Sequence, residues 1–582
     1  MEKTSVLLNK KYRSLLISTL AMSASSYISM ILDGIMVGQI LGTAQLSAIN
    51  LTTSILFLMN IPVALFNFGG NTLSVMFKGK RDNASADKAF TLSFAGGMLS
   101  SVLFCILGIL LISPVAQLLS KGTELKGYVS DYLLPLWVLA PLMAFVTMTA
   151  SFSRTDGLRK LATALPIVSN VINLLCDLLF MKVLDMGIAG AGWATVAGYS
   201  VGAVMALVYF RSDKRSVHFT ASAFKSLNLV GSIAATGLPS ALIYVCNFLR
   251  LFFVNDIILS STGVMGAKIA SVTFSLNSLS FIFVEGASMT LLPILGALSG
   301  EKDIRGQKSA LRYGMFMTLV MCSAVFAVSV IFPTQLASLY GLTDPETVDI
   351  FAVTFRIVSI NVLIIGIIYV LRSFFQATGQ KMIANILVVL DGFATVVPLM
   401  YFLSKINIYM LWASFPISKA VTLAVLFAIL AVMKRRKHTD DILLLGSEEG
   451  KVLDFSVKND PAEAGNAARK AIAFCKENGV DPRIANAIGV TAEELCSNIA
   501  QYAASKQNPT VDICIRIFEN SVTIRLRDNG EAFDPTEYID DSGETVTGLG
   551  LVRSLSSKIE HNRVLDMNIT SVTVERSDQA GS

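Results

Sequence analysis

Between Leu15 and Met433 the chain runs through roughly twelve apolar segments, each long enough to cross a hydrocarbon core about 30 Å thick. A backbone at that depth has no water to bond to, so these segments have to be helices that close their own hydrogen bonds. With 53% hydrophobic and 15% charged residues and a mean hydropathy of +0.62, the 582-residue chain lies outside the range of soluble globular proteins. The apolar excess ends at Lys434. Beyond it the composition is that of one soluble domain of ordinary size.

The basic residues set an expected topology. They gather at Lys3, Lys10, Lys11 and Arg13; at Lys78, Lys80, Arg81 and Lys88; at Arg154, Arg159 and Lys160; and at Arg211, Lys214 and Arg215. They recur at Lys302, Arg305 and Lys308, at Lys381, and in the run KRRK of residues 434–437, which is every second connection. The intervening loops, such as GQILGTAQ and TDPETVD, are poor in them. By the positive-inside rule both termini and the C-terminal domain face the cytoplasm, in a multi-pass protein of the cell (inner) membrane. The first apolar run is long and has no small-residue cleavage site, so no cleavable signal is expected. The formal charge of +5 belongs to these loops and does not point to nucleic acid. Seven cysteines without a CxxC spacing are expected to be reduced, packed thiols, and three scattered histidines offer no metal-ligand pattern.

A shift of about 221 residues lays the first half on the second: Gly42 meets Gly263, Gly79 and Asp82 of GKRD meet Gly300 and Asp303 of GEKD, and Lys160 meets Lys381. Two tandem six-helix bundles follow, parallel because six is even, with a substrate route between them. The expected boundaries are a first lobe at 1–215, a second at 216–437, a linker at 438–449 and a soluble domain at 450–582.

The matching pieces Asp33-Gly-x-x-Val-Gly, the G-K-x-D loop and SFSRTDGLRKLATALPIVSNVINLLCDLLF resemble the multidrug and toxic compound extrusion (MATE) family over about residues 10–435. Asp33 stands in an apolar run, where a carboxylate costs about 2.5–3.5 kcal/mol on insertion scales. Under the repeat Asp33 falls on Val254 and Asp177 on Pro398, so neither acid is required by the fold of a half. Asn173 and Asp177 are four residues apart, on one helix face, and Thr195 follows on the next helix. The resemblance implies that Asp33, Asn173, Asp177 and Thr195 hold the coupling cation or proton. Two carboxylates with neutral oxygens suit a hard monovalent cation or one shared proton, and the choice between Na+ and H+ stays open. Asp256, Glu285 and Asp391, in apolar stretches of the second half, are candidate contacts for a cationic, amphipathic substrate, or else structural acids.

The tail from about residue 450 follows an α/β pattern. DFSVKN (454–459) is strand-like; a helix ends at Gly479; Asp481-Pro482 caps a second helix carrying TAEELCSNIAQYA; and residues 510–528 alternate around Glu519-Asn520 as a hairpin. Glu494 can orient or deprotonate an attacking group, and Asn498, one turn on, can offer an amide oxygen to Mg2+. Asp528 can accept from an adenine amino group, Gly530 lets a ligand come close, and Gly548 and Gly550 at a helix start offer N–H groups to phosphates. In this order they resemble the three boxes of GHKL-type ATPases, and among those the anti-sigma-factor serine kinases, over about residues 450–577. That resemblance implies an α/β sandwich binding ATP and Mg2+, with Glu494 as the catalytic residue of a serine-kinase-like site. GLGLVRSL is about two residues shorter than the usual form, and Tyr502 stands where the kinases often have His, which puts kinase turnover in doubt. His438 is expected to be a solvated tail residue, and no P-loop occurs, which disfavours an ATP-driven pump.

The leading expectation is a bacterial cation- or proton-coupled antiporter exporting small organic compounds, regulated by a fused ATP-binding domain that acts with a cytoplasmic protein bearing an acceptor serine. One alternative is a membrane-tethered serine kinase or partner-switching regulator with a sensory membrane region. Another is a flippase for a lipid-linked precursor.

Overall fold

The computed structural model describes residues 6–437 apart from 80–81, 157, 213–214 and 302, residues 441–445, and residues 450–576 apart from 459–460, 503–509, 532, 537–547 and 565–566. Lys3, Lys80, Arg81, Lys214, Lys302 and His438, and most of the expected linker, lie outside the described residues.

The first half is built from α1 (Val6–Ile40), α2 (Thr43–Gly79), α3 (Asn83–Leu110), a short α4 (Ile112–Ser120), α5 (Lys126–Thr155), α6 (Arg159–Asp177) and α7 (Gly187–Phe210). The second half is α8 (Asn228–Gly300), α9 (Ile304–Ile331), a short α10 (Pro333–Leu339), α11 (Pro345–Ala377), α12 (Lys381–Val389), α13 (Val396–Leu403) and α14 (Ile408–Lys437). Ten helices among the described residues are long and apolar enough to cross a membrane. The continuous α8 is two of the expected crossings, joined at Gly263, where φ is 63°. Counting α8 twice and adding α1, whose apolar part is Tyr27–Ile40, gives the expected twelve.

The repeat is visible in the element boundaries. Helices α3 and α9 start at Asn83 and Ile304 and end at Leu110 and Ile331, the same offset at both ends. Each is capped by the aspartate before it: Asp82 accepts from the Ser85 N–H at 3.0 Å and Asp303 from the Gly306 N–H at 2.9 Å. Gly42 and Gly263 both take positive φ, 98° and 63°, a conformation that glycine adopts without steric cost. Both α6 and α12 run on into a π-helical segment, Leu178–Val183 and Leu390–Ala394 respectively. The two halves meet along α1, α2 and α8. At their crossing the backbones touch: a Cβ on Gly237 would lie 1.9 Å from the Leu65 carbonyl oxygen, and one on Gly69 2.1 Å from that of Ile233.

The C-terminal domain is an antiparallel sheet in the order β1-β2-β3-β5-β4, with helices on one face. Its elements are β1 (Lys451–Lys458), α15 (Pro461–Glu477), α16 (Pro482–Tyr502), β2 (Thr510–Ile517), β3 (Ser521–Asp528), α17 (Gly548–Leu555), β4 (Lys558–Val564) and β5 (Met567–Glu575). β1 begins three residues before the expected stretch, because Lys451, Val452 and Leu453 pair with Ile517, Arg516 and Ile515. Alternation decides the faces. Ile513, Ile515, Val522, Ile524 and Leu526 pack with α15–α17 in a core drawn wholly from this domain. Arg516, Arg525 and Arg527 are on the opposite face, since β2–β3 pairing sets Arg516 across from Thr523 and Arg525 across from Cys514. The seven cysteines are free, five of them buried and Cys105 and Cys176 half-buried. Burial pushes the Cys475 thiol up to about 11 and those of Cys496 and Cys514 to about 12, so all three are protonated at neutral pH.

Candidate functional sites

Asp33 sits on α1 and Asp177 at the last turn of α6, and the structure brings their carboxyls together. Asp177 is fully buried, and neither of its carboxylate oxygens receives a hydrogen bond from a donor among the described residues. Two carboxylates in contact repel unless a proton or a cation lies between them. Tyr132 of α5 and Tyr340, beyond α10, flank the pair, and the Tyr340 hydroxyl is also buried without a partner. One turn before Asp177, Asn173 donates to Thr195 Oγ1 at 3.2 Å, and that hydroxyl donates to the Ala191 carbonyl at 3.1 Å. This contact needs α6 and α7 to approach closely, which Gly198 permits: a Cβ there would lie 2.3 Å from the Ser169 carbonyl oxygen and 3.0 Å from Asn173. The π-helical segment starts at the residue after Asp177; such bulges concentrate at functional sites because they re-aim a side chain.

The three second-half acids are not equivalent. Asp391, in the other π-helical segment, is buried against Lys419 of α14, whose Nζ lies 2.6 Å from Oδ1 and 2.9 Å from the Asp391 carbonyl. Asp256 pairs with Lys121 of the first half at 2.7 Å, with both side chains over a third exposed. Glu285 accepts from the hydroxyl of Tyr27, two turns before Asp33 on α1. Lysines already neutralise Asp391 and Asp256, which leaves Glu285 as the one of the three without a lysine partner among the described residues. Lys419 escaped the sequence reasoning, although a lysine in the middle of an apolar helix signals a buried acid partner.

In the C-terminal domain the three boxes converge. Glu494 and Asn498 lie one turn apart on α16. Gly548 opens α17 so close to Glu494 that a Cβ there would stand 1.8 Å from Oε2. Asn498 Nδ2 is buried without a partner among the described residues, an orphaned donor beside the Glu494 face of α16. Asp528, buried at the end of β3, accepts on Oδ1 from the Gly530 N–H at 2.7 Å and from Asn568 Nδ2 at 3.0 Å. Both bonds fall on Oδ1, leaving Oδ2 for a purine amino group. Burial raises the Asp528 carboxyl above its ordinary range against these bonds and the nearby Arg563 and His561. Gly550 is in the first turn of α17, and Arg553 of that helix ties down the preceding loop through the Pro535 and Thr536 carbonyls at 3.1 and 2.8 Å. Asn568 and Arg563 were not expected; Arg563 holds Asn568 Oδ1 at 2.7 Å and so aims its amide at Asp528. Residues and cradle fit a nucleotide.

Comparison with known proteins gives two family matches. The MatE model covers residues 19–179 and 236–402, and the model of the histidine kinase-like ATPase domain covers residues 457–574. Among similar curated proteins is the multidrug export protein MepA of Staphylococcus saprophyticus, 23% identical over 382 residues, which are 65% of this chain and 83% of that protein. Among solved structures, the inward-facing conformation of a multidrug resistance MATE family transporter of the MOP superfamily superposes with a TM-score of 0.66 at 20% identity, over 73% of this chain and 99% of that one. The outward-facing conformation of such a transporter superposes with a TM-score of 0.59, also at 20% identity, over 76% and 100%.

Proposed function

The chain belongs to the MatE family and carries a histidine kinase-like ATPase domain at its C-terminus, and from that premise we propose that it is a secondary antiporter for small amphipathic compounds whose ATP-binding tail regulates it. The observation that carries this reading is the facing pair Asp33 and Asp177, half-buried and fully buried in the first half, with no counterpart at Val254 and Pro398. A facing carboxylate pair takes up one proton or one monovalent cation and gives it back when the other side of the membrane opens. Alternate binding of that ion and of substrate, each favouring a different state, is what exchange requires. Glu285, tied to α1 through Tyr27, is a candidate contact for a cationic headgroup at a place where the substrate shares a helix with the ion site. The alternation of basic loops supports placing the tail in the cytoplasm, where ATP is found. There Glu494, Asn498, Asp528, Gly530, Gly548 and Gly550 would hold ATP and Mg2+, with Asn498 supplying an oxygen to the metal and Glu494 the position of a base.

The test is efflux of a fluorescent organic cation such as ethidium from proteoliposomes, driven by an imposed proton or sodium gradient with no nucleotide present. Transport should follow one of the two gradients. Asp33→Asn and Asp177→Asn should each abolish it at unchanged protein recovery, a loss of at least about 100-fold. Movement that needs Mg-ATP and ignores both gradients would overturn the reading.

A further inference from the structure

The outer face of the C-terminal sheet is covered where β2 and β3 carry Arg516, Arg525 and Arg527. It rests on the turn between α8 and α9, where Arg525 holds Glu301 at 2.9 Å through Nη1 and Asp303 at 2.6 Å through Nη2. Arg527 also bonds Glu301 and approaches Asp303 at 3.4 Å, and Arg516 stands 3.7 Å from Asp303. Asp303, Arg525 and Arg527 are all more than nine-tenths buried. Burial alone would raise the Asp303 carboxyl, but Arg525, Arg527, the Gly306 N–H and Arg516 hold it down at about 2. Around this centre Arg305 donates to the Val452 carbonyl at 3.2 Å and Lys308 pairs with Asp441 at 3.0 Å. In the first half, Asp82 fills the same capping place in the repeat and is exposed. The charged part of the docking therefore uses the capping turn of the second lobe and not its repeat in the first.

Two adjacent strands tie this interface to the nucleotide site. On β3, Arg527 grips the membrane part and the next residue, Asp528, is the adenine acceptor. On β5, Met567 joins the apolar cluster of Leu7, Leu8 and Tyr12 of α1 with Leu444 and Leu445, and the next residue, Asn568, bonds Asp528. Asp528 and Asn568 are themselves a register pair. Neighbouring residues on a strand point to opposite faces, so each of these strands presents one residue to the nucleotide and the next to the transporter. Further along, α1 carries Tyr27 and Asp33.

We propose that this docked face is the regulatory coupling of the molecule: nucleotide at Asp528 and Asn568 acts on the antiporter through the hold of Arg516, Arg525 and Arg527 on Glu301 and Asp303, and through Met567 on α1. It rests on the antiporter and ATP-binding reading above and adds the contact that joins them. Coupling of this kind is reciprocal, so the state of the second lobe must also alter nucleotide affinity.

The experiment uses the full chain in proteoliposomes, with Glu301→Gln combined with Asp303→Asn. Asparagine caps a helix as well as aspartate does, so α9 keeps its start while the interface loses both of its negative charges and Arg516, Arg525 and Arg527 lose their counter-ions. In the wild type, Mg-ATP should change the gradient-driven efflux rate by about fivefold or more, the lower end of usual coupling strengths. In the double variant efflux and ATP binding should persist, and the response to Mg-ATP should vanish. Arg525→Gln, made from the other side of the interface, should reproduce that loss. A variant response equal to the wild type's, or a wild-type efflux rate indifferent to Mg-ATP, would overturn the coupling. Gradient-driven efflux and ATP binding are measured in the same vesicles. Loss of either in the wild type counts against the antiporter and nucleotide reading itself, whereas intact transport and binding with an unaltered variant response count against the coupling alone.

Discussion

Asp528 works against the stability of the domain that holds it. Its folded pKa is raised above the ordinary 3.8 by burial, so the folded domain binds its proton more tightly than the unfolded chain does. That contribution to stability is complete below about pH 4 and is lost as the pH rises through the folded value, so at neutral pH the ionised carboxylate is a cost. Asp528→Asn keeps an oxygen for the Gly530 and Asn568 bonds and removes the charge. It should stabilise the domain at pH 7 by about 0.5–1 kcal/mol while it removes the preference for ATP over GTP. Thermal unfolding of the wild type and the variant at pH 4 and pH 7, with ATP and GTP titrations, checks both signs. A variant that is less stable at pH 7 would show that Asp528 is held for structure. Such residues were legible in the sequence where chemistry and position coincide: a carboxylate at a strand end before Asn-Gly, or an aspartate in an apolar run. Lys419 carried a signal of its own, a lysine inside an apolar helix, but Asn568 was not legible, because it is defined by its partner Asp528 and that contact leaves no local pattern.

At the scale of elements, the contact between α6 and α7 positions the coupling site. Asn173 reaches Thr195 only because Gly198 lets the helices approach until a Cβ would overlap the Ser169 carbonyl oxygen, at 2.3 Å. A backbone atom cannot swing aside as a side-chain end can, so Gly198→Ala must push α7 away from α6. The expected cost is about 1–3 kcal/mol of overpacking, with transport lost although Asp33, Asp177, Asn173 and Thr195 are all present. Efflux together with thermal stability in detergent measures this, and full transport by Gly198→Ala would show that the Asn173–Thr195 contact is dispensable. The elements themselves were largely readable: apolar length revealed the spans, the 221-residue shift the pairing of Asp82 with Asp303, which the structure shows to be helix caps, and alternation the hairpin of β2 and β3. Alternation does not show what covers the outer face. Arg516, Arg525 and Arg527 have the spacing of a solvated strand face, and only a contact 222 residues away, between Arg525 and Asp303, buries them.

In the whole molecule the C-terminal domain is both self-sufficient and attached. Its core, from Val457 to Val574, uses no residue of the membrane part, so residues 450–582 should fold alone as a soluble domain. The surface that docking covers would then be exposed, but Arg516, Arg525 and Arg527 are cations that water solvates well, and the apolar loss is confined to groups such as Met567. Calorimetry on the isolated domain should show Mg-dependent binding of ATP in preference to GTP. Asn498→Ala should weaken the Mg-dependent part, because its amide oxygen is the proposed ligand. The affinity should also differ from that of the full chain, and by linkage the ratio of the two constants is the factor by which nucleotide shifts docking, about 5–150-fold in known couplings. Equal affinities in the two forms would mean that Arg527 and Met567 attach the domain to the transporter without communicating with Asp528 and Asn568. Equal binding of ATP and GTP would reduce the three boxes to a fold without a nucleotide's use for it, and the tail to a docked cover on the α8–α9 turn.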